Sequence, residues 1–119
     1  MSKTESTLSK VIKLNDRESQ IINSNCSKIL NAYWLKNWCE VQIAMQLQIR
    51  VATLRNFIQK ITIDLPNYLE TQGAKTALEI KQLLMLNPQI NIEPALHWSV
   101  KNKIIHQRGD CYYRSLPKT

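Results

Sequence analysis

The sequence predicts a mainly α-helical fold, on three observations. Apolar residues recur at helical spacing along Ile22, Cys26, Ile29–Leu30 and Tyr33. Two short periodic stretches then follow, joined only by Gln48–Arg50. A strand–turn–strand pattern centres on Gly109, near the C-terminus.

Taken in order, Met1–Ser9 is polar and expected to fray, and Lys10–Leu14 (KVIKL) reads as a short strand or an entry segment. Asn15 or Asp16 offers an N-cap to the first helix, with Glu18 in its first turn. Trp34, Leu35 and Trp38 continue the apolar stripe of that helix, and with Tyr33 they are expected to anchor the core. The alternative for these aromatics is a stacking platform for single-stranded bases.

Within Glu40–Ile61, Ile43, Ala44 and Leu47 share one helical face, while Val51, Leu54 and Phe57–Ile58 share another. Two small helices that each bury one stripe across a three-residue turn form a helix-turn-helix pattern. The free side of the second helix would carry Arg55, Asn56, Gln59 and Lys60.

Pro66 and Gly73 punctuate the next segment, so Leu65–Lys75 is expected as a small hairpin or extended wing. Thr76 caps a helix over Ala77–Leu86, which Asn87–Pro88 ends, and a second helix spans Ile92–Val100 with Pro94 in its first turn. Lys103–His106 and Cys111–Ser115 flank Gln107–Asp110 as a β-hairpin. Arg108–Gly109–Asp110 is read as its turn and not as an adhesion motif. The expected organisation is a flexible segment at 1–14, a winged helix-turn-helix domain at 15–100 and a C-terminal hairpin at 101–119.

Charge points to a polyanionic partner. Lys and Arg number 16 against 9 acids, for a formal net charge of +7, and each neutralised phosphate would release condensed counterions. Between Val41 and Ile63 stand Arg50, Arg55 and Lys60 with no acid.

Cys26, Cys39 and Cys111 have no CxxC spacing, and His97 and His106 stand at no ligand spacing, so neither a metal nor another cofactor is expected. Cysteine use suggests the cytoplasm, with two of the thiols packed as small hydrophobes in helical patterns. No apolar run approaches the ~18 residues of a membrane span, so no membrane association is expected. With two glycines and no nucleophile–base or paired-carboxylate spacing, an enzyme is not expected either. Tyr112–Tyr113 beside Arg114 make only a poor nuclease site.

The middle of the chain resembles regulators of the MerR type, whose helix-turn-helix carries an alanine, then Leu-Gly-Ile/Val-Ser, then Thr-Leu-Arg and paired aromatics. Ala44, Leu47, Ile49, Thr53, Leu54, Arg55 and Phe57 fall in that register. The resemblance covers roughly Glu40–Val100, with Leu65–Lys75 in the place of the family's wing and two helices after it. Three departures stand out. Gln48 occupies the turn glycine, which implies a left-handed side-chain-bearing residue at a cost of about 1 kcal/mol. Arg50 replaces the usual Ser/Thr cap, and loss of a cap costs about 1 kcal/mol. Asn56 replaces the first aromatic and has the donor–acceptor pair needed to read adenine.

The resemblance implies a minimal regulator without an effector domain or small-molecule effector, such as the small repressors of mobile elements, including CRISPR-associated transposons. It implies a homodimer, joined through the N-terminal helix or the C-terminal hairpin, repressing transcription by occluding an inverted-repeat operator in double-stranded DNA. Helix Val51–Ile61 would enter the major groove with Arg50, Arg55 and Lys60 on phosphates, Ala52 and Thr53 on the same helix, and Asn56 and Gln59 nearest the bases. Asn67, Tyr68 and Lys75 would hold the backbone from the wing. Two other readings stand beside it. One is a protein-interaction adaptor using the helix-turn-helix as a packing unit. The other makes the helices at Ala77–Leu86 and Ile92–Val100, with the hairpin, a second winged helix.

Overall fold

A computed structural model describes the backbone of residues 3–114 and the side chains of residues 14–114. The protein is mainly helical, with a small three-stranded antiparallel sheet in its C-terminal part. Helix α1 spans Lys3–Trp34, α2 Glu40–Leu47, α3 Val51–Gln59, α4 Leu65–Gln72, α5 Ala77–Leu84 and α6 Glu93–Lys101. The strands are β1 (Lys75–Thr76), β2 (His106–Arg108) and β3 (Cys111–Tyr113), in the order β1-β3-β2.

The first helix is longer than its sequence signals suggest. Lys10–Leu14 is helical and not a strand, and Asn15 and Asp16 lie inside α1 where neither can serve as its N-cap. A β-branched pair such as Val11–Ile12 lowers helix propensity only slightly, so continuity with a helical neighbour prevails. The expected stripe is buried, with Ile22, Cys26, Ile29 and Leu30 all in the core. At Asn25 the backbone leaves helical geometry (φ −125°, ψ 17°), and its amide donates to the Ile21 carbonyl at 2.8 Å. Such local side-chain bonding competes with the helical ladder and bends it.

Trp34, Leu35 and Trp38 do not anchor the core: they are 44%, 59% and 40% exposed. Trp34, the last residue of α1, lies one position past the stripe residue Tyr33 and so on its flank, and beyond it the left-handed Asn37 (φ 56°) redirects the chain before Trp38. Trp34 meets Trp98 of α6 edge-on at 6.2 Å, and Trp98 donates its indole N–H to the Asn31 side-chain oxygen at 2.7 Å. Trp98, not Trp34, is the buried member of that pair.

The segment expected to form a wing, Leu65–Lys75, is instead helix α4 followed by the first residues of β1. Between α3 and α4 the chain never leaves helical geometry. A π-helical turn, Lys60–Asp64, joins them, and Leu65 N–H donates to the Lys60 carbonyl five residues back. Pro66 has no N–H to give and clashes in a regular helix interior, but it sits in the first turn after the π segment, where neither is a fault. Gly73 (φ 86°) then ends the helix. The sequence signal was misread because a proline marks a helix start as readily as a break.

The C-terminal helices follow their signals, but the first strand of the hairpin is His106–Arg108 and not Lys103–His106: Lys103 turns left-handed (φ 61°), so the chain becomes extended only at His106, and Gln107 and Arg108 join the strand and not the turn. Thr76 caps α5 by accepting from Glu79 N–H, and Glu79 accepts in return from Thr76 N–H. Helix α5 stops at Leu84, two residues early, because Met85 adopts φ 52°. Helix α6 begins at Glu93 with Pro94 in its first turn and runs through Lys101. In the hairpin, His106 faces Tyr113 and Arg108 faces Cys111 across a Gly109–Asp110 turn, with Gly109 at φ 60°. The far end of the expected second strand, Ser115, lies outside the described residues. One core runs through the whole, with Leu30, Leu54, Ile58, Ile61, Leu96 and Ile105 fully enclosed. Among the described residues no helix is long and apolar enough to cross a membrane.

Gln48 is left-handed (φ 56°, ψ 45°) as the turn spacing demands. Gln48→Gly is therefore expected to stabilise the protein by up to about 1 kcal/mol, relief of side-chain strain outweighing the added freedom of the unfolded chain. Urea unfolding, read as a higher midpoint at unchanged slope, checks this.

Candidate nucleic-acid interface

Two short helices form across a three-residue connection, as the spacing predicts: α2 buries Ile43 and Ala44, α3 buries Leu54, Phe57 and Ile58, and Gln48–Arg50 connects them. Helix α3 presents Ala52, Arg55, Asn56 and Gln59 as one exposed stripe. Positions i, i+3, i+4 and i+7 of a helix lie on one face, so these four are presented together.

The cap missing at Arg50 is supplied from another helix. Glu18, on α1, is fully buried, and its carboxylate accepts the Arg50 backbone N–H at 2.6 Å. The same carboxylate accepts from Arg50 Nε at 2.8 Å and Nη2 at 2.6 Å, and from the Thr53 hydroxyl at 3.0 Å. A negative charge at this helix start also complements the α3 dipole. Sequence reasoning placed Glu18 in a first turn and missed this role. The available signal was its position four residues before Ile22, on the buried stripe, where a carboxylate needs a partner.

The basic residues of the unit thus divide. Arg50 is tied to Glu18 and to Asn15 (2.6 Å), so releasing it would leave a buried carboxylate without its cation. Lys60 is also engaged: its ammonium donates to the Leu84 carbonyl and, at 3.3 Å, to Met85, closing the C-terminal end of α5. Thr53 is held by Glu18. Arg55 pairs with Glu40 of α2 at 2.9 Å, with 48% of its side chain exposed. Exposed pairs of this kind contribute about 0.2–1 kcal/mol, so Arg55 can exchange Glu40 for a phosphate at little cost. The ridge that is free of acid in sequence therefore acquires Glu18 and Glu40 in space.

Asn56 is exposed but borders a small crevice shared with Asn15, Ser19 and Asn87. The three residues assigned to the wing lie elsewhere: Asn67 exposed and Tyr68 half-buried on α4, and Lys75 half-buried on β1. They do not join the α3 stripe.

Of the thiols, Cys26 is buried and its pKa is pushed up to about 12 by burial, so it packs as a neutral side chain. Cys39 does not pack in the same way; it is exposed at the N-cap of α2. No protein-family model matches the chain, and neither curated proteins nor solved structures give a match.

Burial pushes the Glu18 carboxyl up, but the Arg50 side-chain and backbone hydrogen bonds, the Thr53 hydroxyl and the guanidinium charge together hold it below its ordinary 4.5. A depressed carboxylate contributes stability above its unfolded value and loses it as pH falls through the folded one. Glu18→Gln is expected to cost about 1–3 kcal/mol at neutral pH, as for a lost charge-assisted hydrogen bond. It should also flatten the fall in stability below pH 4.5, leaving the share of other carboxylates such as Glu79. Chemical denaturation of both proteins across pH 3–7 (about the range in which carboxylates titrate) measures the difference.

Proposed function

We propose that the protein is a sequence-specific regulator that binds double-stranded DNA, acting as a homodimeric repressor that occludes a promoter. The observation that carries this reading is the exposed Ala52–Arg55–Asn56–Gln59 stripe on a short helix locked at its start by Glu18. A rigid helix with one amide-rich, cationic face suits the major groove, where asparagine and glutamine read adenine and arginine takes phosphate or guanine. The MerR resemblance supports α2–α3 as the reading unit, whereas that family's wing has no hairpin counterpart between α3 and α5.

A wing is better sought at the C-terminus. The run α4–β1–α5–α6–β2–β3, with sheet order β1-β3-β2, has the connectivity of a winged helix. Its hairpin exposes His106, Gln107 and Arg108. On this reading the chain carries two helix-turn-helix-type units in tandem. The second also exposes His97 and Lys101 on α6. Two copies paired through α1 or through the C-terminal hairpin would let two α3 helices address the two halves of an inverted repeat.

Selection of duplexes from a random pool, followed by titration against salt, tests the proposal. Affinity should fall steeply with salt. Arg55→Ala should weaken binding to every sequence and lower the salt slope by about one, whereas Asn56→Ala should cost about 1–3 kcal/mol at one base pair only. Affinity indifferent to salt, or to both substitutions, would overturn the proposal.

A further inference from the structure

A groove of about 410 Å³ lies between the C-terminal half of α1 and α2. Its apolar lining includes Ile29, Ala32, Ile43 and Leu47, Trp38 stands at its edge, and Lys28 and Lys36 border it with no acid among the lining side chains. We propose that this groove docks an acidic amphipathic helix of a partner protein. Isolated exposed apolar residues are ordinary, but an apolar groove edged by an exposed tryptophan and two lysines marks an interaction surface.

Charge selects the occupant. Lys28 on α1 and Lys36 just past its end border the same groove, so acids flanking the apolar stripe of an incoming helix can meet both. An apolar stripe between them would fill the groove, as amphipathic helices do in hydrophobic grooves. A second copy of this chain is a poorer fit, since it brings a net charge of +7 and the same pair of lysines. DNA is a poorer fit as well, because a phosphate backbone has nothing to place on Ala32, Leu47 and Trp38. No residue of α3 lines the groove, so the inference does not rest on DNA binding.

Selection from a displayed library of short helical peptides against the full-length protein tests this, with fluorescence anisotropy of the enriched peptides as the readout. Enriched peptides should carry an apolar i, i+3/i+4, i+7 stripe flanked by Asp or Glu. The K28E/K36E double variant should bind them about tenfold more weakly or worse, and Trp38→Ala should also weaken them, with unchanged thermal melts by circular dichroism. The proposal is overturned by an absence of enrichment, by basic or uncharged binders, or by binding indifferent to K28E/K36E. It is equally overturned if light scattering shows a dimer that Trp38→Ala dissociates, because the groove would then belong to a second copy.

Discussion

A carboxylate fully removed from water organises the N-terminal half of this protein. Glu18 accepts four hydrogen bonds from Arg50 and Thr53, and in doing so fixes where α3 begins, how it is oriented against α1 and which of its residues face outward. Burying such a group is costly unless every lone pair finds a donor, and here the backbone, a guanidinium and a hydroxyl all converge on it. Among the described residues no buried side-chain nitrogen or oxygen lacks a partner, so α3 is held by a fully satisfied polar contact as well as by Leu54 and Ile58.

Two classes of cation result. Arg50 and Lys60 are consumed by architecture, the first closing the start of α3 and the second the end of α5. Arg55 has a partner that water still reaches and stays exchangeable. Basic residues that look equivalent along a helix are thus separated by their partners, because freeing Arg50 would strand a fully buried carboxylate whereas freeing Arg55 would not.

Local signals were legible in the sequence wherever chemistry acts over a few residues. The three-residue turn forced Gln48 into the left-handed region, Thr76 and Glu79 formed their reciprocal cap, and Gly109 turned the hairpin. Periodicity also located the buried stripes of α1, α2 and α3. The reading failed where the deciding partner was distant in sequence. Glu18 and Arg50 are 32 positions apart, and nothing near Arg50 announces that its cap comes from α1. Size and apolarity argue for burial of Trp34 and Trp38, whereas the helix end at Trp34 and the left-handed Asn37 before Trp38 leave both exposed. Pro66 was ambiguous by nature, being as acceptable at a helix start as it is disruptive in the middle.

The π turn at Lys60–Asp64 has a mechanical consequence. Because the backbone stays helical from Val51 to Gln72, the outward-facing helix and the one packed against the sheet are a single bent strut with no hinge between them. Any roll of the first about its axis must be carried through that bend into the second, and so to the β3 strand against which it rests. The face that α3 exposes and the sheet that α4 supports therefore share one continuous backbone support.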